Sequence, residues 1–159
     1  MEDKDIDSVR EALKRNPDAI NERYVYGFTP LMRACNRKYW DIAKVLLESP
    51  NIDINATNNV GCSALTFVCY YGGAEFLLQL LEHLQLDINH TSNYGRSALQ
   101  YAARWGNHIC IKILLAYGAI CSYDCRNWVL WGPEEEKNET RRILRDRRSY
   151  LPEFTLFRN

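Results

Sequence analysis

The sequence predicts an all-α fold, a solenoid of paired antiparallel helices with three full repeats between atypical N- and C-terminal caps. Three observations predict it. A glycine returns every 34 residues, at Gly27, Gly61 and Gly95; each is followed by a hydroxyl and a helix-starting residue, Thr29-Pro30, Ser63-Ala64 and Ser97-Ala98; and two apolar stripes of helical spacing follow in every copy. Self-similarity at a period of this length is the signature of stacked supersecondary units.

Residues 1–21 read as the second helix of a truncated first repeat, an N-terminal capping half-repeat. Val9, Ala12 and Leu13 stand 34 positions before Ala43, Leu46 and Leu47, while Asp7, Arg10, Glu11, Lys14 and Arg15 supply the wettable outer face that a terminal repeat needs. Asn16-Pro17 ends this helix, because the residue before proline is driven out of the α region.

Residues 22–55, 56–89 and 90–122 are the three full repeats. Glycine accepts the positive φ of a tight turn, the hydroxyl accepts a bond from an orphan helix N–H, and Pro30 at the first helical position loses no bond. The first helix then buries Leu31, Ala34 and Cys35, matched by Leu65, Val68 and Cys69 and by Leu99, Ala102 and Ala103. These mostly small side chains permit close stacking. The second helix repeats Ile42, Ala43, Leu46 and Leu47 as Phe76, Leu77, Leu80 and Leu81, then as Cys110, Ile111, Leu114 and Leu115. Asp53-Ile54-Asn55 and Asp87-Ile88-Asn89 close their units and are expected to run as an extended strand into the next copy.

Residues 123–149 are a degenerate C-terminal repeat. Asn127 to Trp131 occupies the place of a fourth opening helix, Gly132-Pro133 is a break, and Glu134 to Arg148 is expected as a final helix with acids at its start and arginines at its end, as the helix dipole favours. The apolar segment 150–159 is expected to pack over Trp128 and Trp131, with a short docking motif as the alternative.

Gly27-Phe28-Thr29-Pro30-Leu31 with Ala34, the pair Leu46-Leu47, and Asp53-Ile54-Asn55 together resemble the ankyrin-repeat family, over the stretch from Val9 to Ser122. The family's histidine after the opening leucine is replaced by Met32, Thr66 and Gln100. The resemblance implies β-turn fingers at the glycines and a concave partner-binding face built from finger tips and first-helix ends. Transferred by register, the partner-binding residues are Tyr26, Phe28 and Arg37, then Tyr70 and Tyr71, then Tyr94, Arg96, Arg104 and Trp105. Cys62 falls at a tip as well, and Tyr101 is assigned to packing on a neighbouring repeat. Tyr26, Tyr70, Tyr94 and Trp105 are expected to be exposed. Tyr, Trp and Arg dominate binding hot spots because they combine large area with few rotors or forked hydrogen bonding. The resemblance also implies Asn55 and Asn89 as acceptors for an asparagine hydroxylase.

Composition narrows the function. Lys plus Arg equals Asp plus Glu at 20 each, 47% of residues are hydrophobic, and the apolar runs are far shorter than a bilayer span. The start, Met1 to Asp5, is acidic where a secretory signal is basic, so an intracellular protein of cytoplasm or nucleus is expected. No phosphate loop, metal-spaced His/Glu pair or nucleophile motif is present, so neither catalysis nor a cofactor is expected. Cys35, Cys69 and Cys110 occupy apolar slots, and Cys121-x3-Cys125 lacks the second pair of a zinc site. The expected function is a non-catalytic protein–protein interaction module, an adaptor gripping a protein or extended peptide, monomeric on its own and without membrane contact. One alternative is a methyl-lysine reader caging the ammonium with Tyr71, Trp105 and an acid. Another is phosphate or nucleic-acid contact through Arg141, Arg142, Arg145, Arg147 and Arg148, which Glu134, Glu135, Glu136, Glu139 and Asp146 disfavour.

Overall fold

Every opening helix of the stack begins where a side-chain oxygen meets a backbone N–H that the helix itself cannot satisfy. The Thr29 hydroxyl accepts from the Met32 N–H at 3.3 Å. Ser97 and Gln100 cap each other: the Gln100 side-chain carbonyl accepts from the Ser97 N–H at 2.8 Å, and the Ser97 hydroxyl accepts from the Gln100 N–H at 3.4 Å. At the equivalent place the Thr66 hydroxyl accepts from the Ser63 N–H at 3.3 Å. Thr66 and Gln100, which replace the family's histidine, are therefore buried members of capping boxes at the start of their own helices.

In the computed structural model, which describes residues 2–121 and 134–146, these starts give a regular succession. Helix α1 (Glu2–Arg15) is followed by the pairs α2 (Pro30–Arg37) and α3 (Trp40–Leu47), α4 (Ala64–Tyr71) and α5 (Ala74–Leu81), and α6 (Ala98–Arg104) and α7 (His108–Ala116); α8 spans Glu134–Arg145. The opening helices also stop alike. Lys38, Gly72 and Gly106, again 34 residues apart, take left-handed φ values of 61°, 73° and 66° and turn the chain back into the second helix.

The stripes meet in one continuous core. Leu31, Leu65 and Leu99 of the opening helices and Leu46, Leu80 and Leu114 of the second helices are all buried in it, and Ile143 and Leu144 of α8 extend it at the C-terminal end. Helices α2, α4 and α6 approach one another more closely than α3, α5 and α7 do, so the stack is narrower on the opening-helix side. The sequence accords with this: the opening helices bury Ala34, Ala102 and Ala103 where the second helices bury Leu47, Phe76 and Leu115. Helix α8 docks on α7 with Thr140, fully buried, whose hydroxyl donates to the Glu136 carbonyl at 2.9 Å and accepts from His108 Nε2 at 2.7 Å.

Backbone between the pairs forms fingers. In each, one N–H···O bond closes the base and another the tip: Tyr24 to Phe28 at 2.8 Å and Gly27 to Tyr24 at 2.9 Å, Asn58 to Cys62 at 3.0 Å and Gly61 to Asn58 at 2.9 Å, Ser92 to Arg96 at 2.9 Å and Gly95 to Ser92 at 2.8 Å. Adjacent fingers are joined in turn, the Asn59 N–H donating to the Tyr26 carbonyl and the Asn93 N–H to the Val60 carbonyl, both at 3.0 Å. A second ladder joins the segments that follow the second helices. Asn21 donates to the Asn51 carbonyl at 2.7 Å and accepts from the Asp53 N–H at 2.8 Å; Asn55 repeats both bonds with Gln85 at 2.6 Å and Asp87 at 2.8 Å; Asn89 accepts from Ile120 at 2.8 Å.

Two expectations change. The closing segments around Ile54 and Ile88 are turns rather than an extended strand; among the described residues β pairing is confined to the isolated bridges Thr57–Ser63 and Thr91–Ser97. The final helix ends at Arg145, with Asp146 already outside it. The expectations for residues 123–133 and 147–159, including Trp128, Trp131, Arg147, Arg148 and the C-terminal segment, lie outside the described residues.

Gly61 shows how tightly the fingers fit. Its φ is +76°, and a Cβ there would stand 2.7 Å from the Asn93 backbone nitrogen. Gly61→Ala is expected to lower stability by about 2 kcal/mol or more, the left-handed penalty plus displacement of the next finger, read as a lower urea midpoint at unchanged slope. A loss below about 0.5 kcal/mol would show the fingers to be loosely coupled.

Candidate functional site

The finger tips project side chains away from the core. Tyr26 is 74% exposed and Tyr94 66% exposed, at the same register in two fingers, with the exposed Val60 at that register between them. Tyr26 has a left-handed φ of 63°, which a tyrosine adopts only when its surroundings impose it. Its carbonyl accepts a bond from the Asn59 N–H of the next finger. The Arg96 guanidinium stands over the Tyr94 ring, 5.7 Å from its centre, in cation–π contact.

Below the tips, the ends of α4 and α6 carry an aromatic cluster. The Tyr70 ring lies 4.7 Å from Tyr71, 4.8 Å from Trp105 and 6.5 Å from Tyr101. Trp105 remains 40% exposed and forms the rim of the cluster. Such tilted and edge contacts fix ring orientation, so the exposed edge of Trp105 is held by its neighbours rather than free to rotate.

Several residues assigned to the face are placed differently by the packing. Tyr70 is half-buried, because the next repeat lays Trp105 and Tyr101 against it. Tyr71 is half-buried too, its hydroxyl donating to Asn36 Oδ1 at 3.2 Å while Lys38 Nζ stands 4.9 Å from its ring centre. Phe28 turns inward and meets Phe67 in a tilted contact with ring centres 5.2 Å apart. Cys62 is buried, with its sulfur 3.7 Å from the Tyr101 hydroxyl. Burial pushes that tyrosine's pKa upward. Arg37 is exposed but belongs to the end of α2 facing the N-terminal cap, whereas Arg96 and Arg104 are half-buried on the finger and α6 side.

The arginine helix is internally neutralised. Arg141 meets Glu134 at 2.8 Å, and Arg142 meets both oxygens of Glu139 at 2.7 and 2.9 Å. These bonds, first Arg141 on Glu134 and Arg142 on Glu139, hold both carboxyls below their ordinary pKa. Their contribution is thus present above the usual carboxylate range and is lost as pH falls through the depressed values.

Cys35, Cys69 and Cys110 are buried thiols. Loss of solvation pushes Cys110 up to about 11 and raises Cys35 and Cys69 well above the ordinary thiol range. Among the described residues no cluster of His, Cys, Asp and Glu has the arrangement of a metal site, and no helix is long and apolar enough to cross a membrane.

Stacked helix pairs with projecting fingers define a repeat solenoid, a class that works through its extended surfaces. Residues 51–126 match the family described as ankyrin repeats (3 copies), and residues 13–68 match that described as ankyrin repeats (many copies). The chain belongs to the ankyrin-repeat proteins, whose repeats bind protein partners. No individual curated protein matches the sequence significantly.

The thiol assignments are checked by labelling at about pH 8, where an ordinary cysteine reacts readily. Cys35, Cys69 and Cys110 are expected to stay unmodified in the native protein and to react fully in denaturant, as followed by mass spectrometry. Native-state labelling of any of the three would contradict their burial.

Proposed function

We propose that this chain is a non-catalytic adaptor that grips a protein or an extended peptide along the line of finger tips and opening-helix ends. The observation that supports it most is the row of exposed apolar and aromatic side chains at one register, Tyr26, Val60 and Tyr94, beside the fixed Trp105 edge. Aromatic rings held in place by the fold lose little entropy on binding, which is what a hot-spot anchor requires. Arg96, poised at Tyr94, supplies charge at the same tip.

Spacing also favours an elongated ligand. The tips repeat through the backbone bonds between fingers, so a partner that follows them meets one anchor per repeat instead of one deep pocket. The adaptor reading is preferred over a methyl-lysine cage, because the Tyr71 ring already faces the chain's own Lys38 and Tyr70 packs on its neighbours. It is preferred over phosphate contact through α8 because Arg141 and Arg142 are bonded to Glu134 and Glu139.

A photo-crosslinker placed at position 94 and used in cell extract is expected to capture a discrete protein. Binding of the captured protein should weaken by about 2 kcal/mol for Tyr94→Ala and again for Trp105→Ala, with little change in the urea midpoint for Tyr94→Ala. Affinity indifferent to both substitutions would exclude this face.

A further inference from the structure

The N-terminal end of the stack carries an apolar groove of about 550 Å³ between α1, α2 and α3. Its origin follows from the period. Helix α1 stands in the register of a second helix, but the opening helix that would accompany it is not among the described elements. At the register where Leu46, Leu80 and Leu114 are buried, α1 presents Ala12, which is exposed and leaves room.

The facing wall, on α2, is equally incomplete. In later repeats the positions equivalent to Arg33 are Phe67, in tilted contact with Phe28 of the preceding repeat, and Tyr101, set against Cys62 of the preceding repeat. Those equivalent to Arg37 are Tyr71, bonded to Asn36, and Trp105, packed on Tyr70. In both later repeats this face receives a neighbour. Among the described residues, this face on α2 meets only the short Pro17–Asn21 turn and the Tyr24 ring, 5.8 Å from Arg33, and neither of the two arginines that line the groove makes an ion pair.

We infer that this groove is a second docking site, separate from the finger tips, and that its occupant is one amphipathic helix of a partner protein. The helix takes the place that an opening helix would fill, seating a stripe of small apolar residues on Ala12, Leu13 and Ala34. Two unneutralised guanidiniums at the edge select acidic side chains on it, at the spacing of one helical turn that separates Arg33 from Arg37. Small residues suit the stripe because the groove, about 550 Å³ in volume, already holds Leu13, Ile42 and Leu46 on its walls.

The test titrates the full chain with a synthetic helical peptide carrying an Ala/Leu stripe flanked by glutamates, and with its twin carrying lysines instead, read by amide chemical-shift mapping. The glutamate peptide is expected to shift amides of α1 and α2 and to bind at least about tenfold more tightly than the lysine twin. The double variant Arg33→Glu, Arg37→Glu should reverse that preference, and because both arginines are on the surface it is a test that does not endanger folding. Ala12→Trp, also at an exposed position, should abolish binding of the glutamate peptide, while Tyr94→Ala should leave it intact, so that failure here and failure of the finger-tip reading are separate results. Equal binding of the two peptides, shifts confined to the fingers, or a dimer of the free protein that Ala12→Trp disperses would each overturn the assignment.

Discussion

No helix pair in this chain can hide its own apolar surface, and that constraint generates the rest of the structure. Each opening helix offers a stripe of small residues, each second helix a stripe of leucines, isoleucines or phenylalanine, and both become buried only when another pair lies alongside. Burial supplies the drive but no register, since it is indifferent to direction. Register comes from two ladders of hydrogen bonds, finger to finger through backbone and, along the segments that follow the second helices, through the side-chain amides of Asn21, Asn55 and Asn89. Both ladders run between successive units, so an error in one is felt in the next.

This division of labour explains which surfaces are available. Backbone groups at the finger bases are paired within each finger and those at the bends are met by the preceding unit, which leaves the side chains at the tips to meet another molecule. The ends of the stack differ for the same reason. Helix α8 packs on α7 at the C-terminal side with Ile143, Leu144 and the Thr140–His108 bond. At the N-terminal side α1 covers α3 but leaves the flank of α2 lined by arginines, where inner repeats have aromatic residues packed on a neighbour.

Much of the fold was legible because its determinants are local and repeated: glycine, hydroxyl and stripe occur within a few residues of each other and recur three times. The stops at Lys38, Gly72 and Gly106 were equally periodic, but lysine in the first copy concealed the pattern. Side-chain placement on the face was less legible, because it depends on partners one repeat away. Tyr71 is drawn in by Asn36, Cys62 by Tyr101, and Phe28 by Phe67, contacts about a full period apart that composition at a finger tip does not reveal. Comparing what each position meets in successive copies would have exposed them, and the same comparison marks Arg33 and Arg37 as positions lacking their repeat neighbour.

The dependence of every unit on its neighbours is tested most directly by removing one period, residues 56–89, and comparing the shortened chain with the excised segment alone. In-register stacking predicts that the shortened chain folds cooperatively with reduced stability, as α6 and α7 take the place of α4 and α5 against α2 and α3, while the isolated segment shows no cooperative unfolding. A shortened chain that cannot fold, or a segment that folds alone, would contradict the claim that stability resides between the units.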